Sequence, residues 1–242
     1  MRKSTFSRLI VFAFLFVFVL QSCRNDVYLK DAPPVPDGSF NESFDTFMNA
    51  YNRGWRFINR SQNPGVTKWQ AGSISGALLP YKSLGTNAGF IASDYQATDE
   101  AAGIISNWAV SPVVTFQNGD KIVFYTTCQW YFTGSDSTDF GNRLQLRANF
   151  NNEGLNVGDL ETHGDFTKNL IDINPSYIYG SYISPDPNAY PNRWTRFEAT
   201  ITGLNQPVKG RFAFRYFMLT GGFNGDGSEV GIDEVQYISA SH

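Results

Sequence analysis

From Ser39 to the end of the chain, apolar and polar residues alternate in short runs separated by turn residues, the period-2 pattern of half-buried strands. Ten such runs stand out, near residues 40–44, 55–59, 67–71, 89–93, 108–114, 121–132, 143–150, 194–201, 211–219 and 229–238. Leu144, Leu146 and Ala148 oppose Arg143, Gln145 and Arg147, and Phe197, Ala199 and Ile201 oppose Arg196, Glu198 and Thr200. The last two runs, joined by a Gly-rich connection, organise the rest. In the first, Phe212, Phe214, Tyr216 and Met218 alternate with Arg211, Ala213 and Arg215. In the second, Val230 and Ile232 share one parity and Val235 and Tyr237 the other, with Asp233-Glu234 at the change. A slip of one residue sends side chains to the opposite face unless a bulge absorbs it, so this acidic pair is expected at a special position.

Turn chemistry separates the runs. Asn118-Gly119 is a hairpin signal, and Gly203 with Pro207 marks a second turn. Ser111-Pro112 falls partway into a run, where Pro removes a ladder donor, so that strand is expected to be an edge or to carry a bulge. Long amphipathic helices are absent, although residues 50–52 and 98–102 have room for a turn each. Many short strands without helices between them imply an all-β, antiparallel sandwich or barrel.

The N-terminus has another pattern. Arg2, Lys3 and Arg8 precede an uninterrupted apolar run, Leu9 to Leu20, of twelve residues. A membrane-spanning helix needs roughly 20 apolar residues, so the run suits an export signal better. It ends in Leu20-Gln21-Ser22-Cys23, which looks like a bacterial lipobox with Cys23 as the lipidated first residue. Residues 1–22 are then a lipoprotein signal peptide. Residues 23–38, with Pro33, Pro34 and Pro36, are an extended tether, and residues 39–242 are the domain. The expected address is the cell envelope: exported, lipid-anchored in the outer membrane and exposed at the surface.

Composition narrows the chemistry. The chain has 19 Lys and Arg against 22 Asp and Glu, a net charge of −3. Losing residues 1–22 would remove three cations and no acid, and an acidic surface argues against a nucleic-acid partner. Two cysteines, Cys23 and Cys128, leave no disulfide once Cys23 carries lipid, so Cys128 is read as a small buried hydrophobe. Two histidines, His163 and His242, offer no zinc spacing, and there is no nucleophile elbow. The chain is read as non-enzymatic.

The order of certain residues carries a resemblance. Phe40-Asn41-Glu42-Ser43-Phe44 is followed by Gly54-Trp55, Lys68-Trp69, Gly89 to Tyr95 and Asn107-Trp108-Ala109-Val110-Ser111-Pro112. Late in the chain come Ala213-Phe214-Arg215-Tyr216 and Ile232-Asp233-Glu234-Val235. The series resembles the choice-of-anchor J domain, related to the cleaved adhesin domain of gingipain-type cell-surface proteins, over about residues 39–240. The resemblance implies a jelly-roll β-sandwich of about ten antiparallel strands, like those of carbohydrate-binding modules, with the last two runs as its closing hairpin; it does not imply catalysis. Modules of this kind often hold a structural calcium where the first strand meets the last. Glu42 and Asp233 would be its centre, with Asn41, Asp45, Asp94 and Asp226 as auxiliaries, since calcium takes six to eight oxygen ligands. The alternative is that Glu42 and Asp233 bond to backbone at a bulge. Where the gingipain-like adhesins carry an acidic, Gly-containing segment after the early Gly-Trp, this chain has Asn59-Arg60-Ser61-Gln62-Asn63.

A binding surface is the remaining expectation. Tyr177, Tyr179, Tyr182, Tyr190 and Trp194 lie among Asn, Ser and Pro, a composition suited to stacking on sugar faces and hydrogen-bonding hydroxyls. Four prolines (Pro175, Pro185, Pro187 and Pro191) discourage regular pairing there. The other reading of these rings is a cover over the sheet edge. Two functions follow from different classes: an envelope module that captures a glycan or glycoprotein, or a structural component of the envelope that binds another protein.

Overall fold

The computed structural model describes residues 34–72, 78–82 and 89–240. The leader, Cys23 and the tether up to residue 33 lie outside the described residues. In chain order the strands are β1 (Phe40–Glu42), β2 (Arg56–Asn59), β3 (Gln70–Ala71), β4 (Ile91–Ser93), β5 (Gly103–Val110), β6 (Val114–Phe116) and β7 (Lys121–Cys128). They continue as β8 (Tyr131–Phe132), β9 (Ser137–Thr138), β10 (Leu144–Asn149), β11 (Lys168–Ile173), β12 (Thr195–Thr200), β13 (Val208–Gly221) and β14 (Val230–Ile238). A short helix, α1 (Phe47–Asn52), and a 3-10 turn, Tyr95–Ala97, interrupt them.

Two six-stranded sheets result. The first runs β12-β7-β14-β4-β3 with β1 also on β14, and the second β11-β10-β13-β5-β2 with β6 also on β13. Among the described residues every pairing between these strands is antiparallel, and the chain passes repeatedly from one sheet to the other. The fold is a jelly-roll β-sandwich. β13 and β14 lie within opposite sheets rather than pairing as the expected hairpin, because the Gly-rich connection spans the sandwich. Asn118-Gly119 likewise carries the chain from β6 in the second sheet to β7 in the first, so its turn chemistry serves a crossing and not a paired hairpin.

The core forms between the two inner faces. Phe212, Phe214, Tyr216 and Met218 of β13 meet Val230, Ile232, Val235 and Tyr237 of β14 in one buried cluster. Phe214 packs edge-on against Phe124 of β7 at 4.8 Å between ring centroids. Each such side chain contributes about 2 kcal/mol by leaving water. Both halves of β14 reach this core despite their different parity because a bulge intervenes. Asp233 pairs with Tyr125 and Gln236 with Val123, so β14 spends one extra residue. Glu234 takes φ 49° at that point.

At Ser111-Pro112 the chain bulges rather than forming an edge: β5 lies between β13 and β2, and the three residues between Val110 and Val114 face the two between Ala213 and Gly210 on β13. β5 leaves β13 at the Val110–Ala213 pair and β6 rejoins the same strand at Val114–Gly210. Trp55, Trp69 and Trp108 are fully buried, and Cys128 is a buried free thiol. The outer face of the second sheet carries a further small core, in which Val157 and Phe166 from the loop after β10 cover Trp108, Val110 and Ala213.

Candidate ligand-binding groove

β11 and β12 are edge strands of different sheets on the same side of the sandwich, and between them the core is left partly open. The opening is a groove of about 530 Å³. Its apolar surface includes Ile171 and Ile173 of β11, Phe197 of β12, the indole of Trp130 and prolines of the segment between β11 and β12. Asp172, Asn174, Ser181, Asp186, Asn188 and Asn192 add polar groups, and no Lys, Arg or His lines it.

The wall is residues 174–192, and its shape is fixed locally. Asn174 takes φ 55° and its side-chain amide donates to the carbonyls of Asn142 and Ile178, both at 2.9 Å, while its Oδ1 accepts from Ile178 N at 2.8 Å. Gly180 N donates to Asp139 Oδ1 at 2.6 Å. A Cβ at Gly180 would stand 2.6 Å from Trp130 Cζ2, so only glycine lets the loop lie against the indole. Asp136, on the turn of the β8-β9 hairpin, accepts from Ser181 Oγ at 2.6 Å and from Tyr182 N at 2.8 Å. The Ser181 hydroxyl and those backbone donors hold the Asp136 carboxyl below its ordinary pKa. At the far end Pro191 O accepts from Cys128 N at 3.0 Å. A wall tied at so many points loses little entropy when a ligand binds.

The charge of Asp172 is compensated. Arg143 makes a two-point pair with Asp172, Nε to Oδ1 at 2.8 Å and Nη2 to Oδ2 at 2.7 Å. Burial raises the Asp172 pKa, but the Arg143 guanidinium with the Gln145 and Asn169 amides outweighs it and leaves the carboxyl below its usual range. Burial, with Asp139 close by, pushes the Cys128 thiol up, so it is a poor nucleophile.

The rings singled out in the sequence have divergent fates. Tyr190 is 2% exposed and belongs to the core, its hydroxyl 2.6 Å from Thr126 Oγ1. Tyr177 is half-buried, with its hydroxyl accepting from Arg143 Nη1 at 2.9 Å. Tyr179 donates to the Asp226 carboxylate, which pushes its pKa up to about 12. Tyr182 is 77% exposed. Trp194 packs edge-on against Phe90 at 5.6 Å and donates to Leu79 O at 2.8 Å. Of these five, only Tyr190 lines the groove, where the half-exposed rings are Trp130 and Phe197.

The acids considered for calcium have separate partners. β1 pairs with β14, with Glu42 opposite Val235. Both oxygens of Glu42 accept from Arg53, each at 2.5 Å, and Oε1 also accepts from Phe44 N at 2.9 Å. Asp233 accepts from Glu234 N at 2.7 Å and Tyr81 N at 3.0 Å. Asp45 accepts from Gly89 N and Ser43 Oγ, each at 2.9 Å; Asp94 accepts from Thr67 Oγ1 at 2.7 Å and Gln96 N at 2.9 Å. Asp226 is engaged by Tyr179 and Thr220, and Asn41 donates to Glu234 Oε2 at 3.5 Å. Among the described residues no three His, Cys, Asp or Glu side chains converge on one point. A guanidinium clasping Glu42 repels a cation, so these residues do not fit the implied calcium.

No protein-family model and no curated protein matches the chain. In structure it is similar to the K2 cleaved adhesin domain of Lys-gingipain, at 15% identity, 84% of this chain, 99% of that chain and a TM-score of 0.50. The K1 cleaved adhesin domain of Lys-gingipain from Porphyromonas gingivalis W83 follows at 18% identity, 82% and 96% coverage and a TM-score of 0.48. A carbohydrate-binding module solved with beta-1,4-galactotriose aligns at 9% identity, 79% and 92% coverage and a TM-score of 0.36. The likeness to the K2 domain is one of fold.

Proposed function

We propose that this protein is a non-catalytic binding module of the bacterial envelope, lipid-anchored through Cys23, whose edge groove captures a neutral glycan. The observation that carries the reading is the groove's lining: half-exposed aromatic rings beside amide, hydroxyl and carboxylate groups, with no cation. Sugars offer apolar ring faces and a fringe of hydroxyls, which such a lining matches. Uronic or sulfated sugars would meet the Asp186 carboxylate with no guanidinium or ammonium in the lining to receive them. Each ring contact is worth about 1 kcal/mol, so one module binds weakly and many copies on one surface bind strongly. The likeness in fold to a domain named as a cleaved adhesin agrees with a binding role.

A glycan array probed with residues 35–242, which form one compact unit, tests the reading. Hits confined to neutral glycans support it. Hits confined to acidic glycans, or an array without hits, refute it.

A further inference from the structure

Where β13 gives way to β14, the connecting turn carries Phe223 into solvent at 81% exposure. Its ring faces Tyr95 across a cleft of about 310 Å³, with centroids 6.5 Å apart and planes inclined by 53°. Val66, 88% exposed, supplies the apolar side. The opposite side is acidic, formed by exposed Asp99 and half-buried Glu100. Glu100 Oε1 accepts one amide hydrogen bond from Asn63 at 3.2 Å, and the ion pairs among the described residues include neither acid.

The cleft is held in shape. Asp99 N donates to Asn63 O at 2.7 Å and Asn224 N to Ala101 O at 2.8 Å, tying the turn to the acidic segment. Gly222 has φ 122°, and a Cβ there would stand 2.4 Å from Glu100 O. Only glycine lets the Phe223 turn approach so closely.

Two aromatic faces, an apolar side and two carboxylates without cationic partners match a cation carried on an aliphatic stem. A guanidinium suits them best, since it stacks on rings and bonds carboxylates in one plane. A bare metal ion would gain nothing from the rings. We propose that this cleft docks an arginine side chain presented by a protein partner. The site is separate from the edge groove, and either reading stands if the other fails.

The purified full-length protein, applied to arginine-agarose and to citrulline-agarose at low salt, tests the proposal. Citrulline keeps the shape and removes the charge. The expected result is retention on arginine-agarose, absence from citrulline-agarose and elution as salt rises toward about 0.5 M. Phe223→Ala leaves net charge unchanged and the exposed turn free to fold, and is expected to weaken retention about fivefold. The double variant Asp99→Asn with Glu100→Gln is expected to abolish it. Equal retention on both resins overturns the proposal because the guanidinium charge would then play no part, and Phe223→Ala eluting with the parent protein overturns it because general charge attraction would then explain the binding.

Discussion

Asp233 sits 1% exposed at the bulge of β14, where burial, with Glu234 beside it, pushes its carboxyl up to about 7. The native state therefore holds this proton more tightly than the unfolded chain, whose carboxyl titrates near its ordinary 3.8. Its stabilising contribution is complete below about pH 4 and is lost as pH rises through about 7. In Asp233→Asn the difference in melting temperature from the parent should change across pH 4–7 and stay flat above it; a constant difference refutes the burial argument. Glu42 differs because its charge is met by Arg53. Glu42→Gln should cost about 1–2 kcal/mol in chemical denaturation, while a calcium chelator leaves the parent melting temperature unchanged. A fall of several degrees with chelator would restore a metal to this molecule.

At the scale of elements, Arg215 joins a strand to a loop. Its guanidinium lies 4.9 Å from the Trp108 ring and 3.9 Å from that of Phe217, and it donates to Ser106 Oγ and to the carbonyls of Leu160 and Glu161. Burial and the neighbouring Arg147 and Arg143 press its pKa down to about 9. Ser106 Oγ keeps the Trp108 Nε1 donor at 3.0 Å, so Arg215→Met would chiefly free the part-buried carbonyls of Leu160 and Glu161, at a cost on the order of 1–3 kcal/mol, with faster amide exchange confined to residues 151–167. Unchanged exchange there would mean that Val157 and Phe166 hold the loop alone. β13 and β14 were legible in the sequence because their two faces differ sharply, and even the bulge showed as a change of parity. β11 escaped because Leu170 and Ile171 occupy both parities of an edge strand. The destination of the Asn118-Gly119 turn was hidden too, since local chemistry does not say which sheet comes next. The groove was less legible than the fold. Tyr190 reads like its neighbours Tyr179 and Tyr182, and only tertiary contacts send it inward. Trp130 and Phe197 line the same groove from elements remote in sequence, and alternation had given Phe197 a core-facing role.

At the scale of the whole molecule, a rigid sandwich presents its groove on strand edges, while the sequence N-terminal to it supplies the expected anchor. Cys23→Ser should move the protein from the membrane fraction to the soluble exported fraction; unchanged membrane association would place the anchor elsewhere. The central claim is that the edge groove binds a neutral glycan through Trp130 and the amides of the wall. Calorimetric titration of the strongest array glycan into the parent domain, Trp130→Ala and Asn192→Ala, with a melting curve for each, tests it most directly. The account predicts affinity reduced about tenfold or more by Trp130→Ala, about 1.4 kcal/mol, and a smaller loss for exposed Asn192→Ala with its melting curve unchanged. Parent-like affinity in both variants would contradict it.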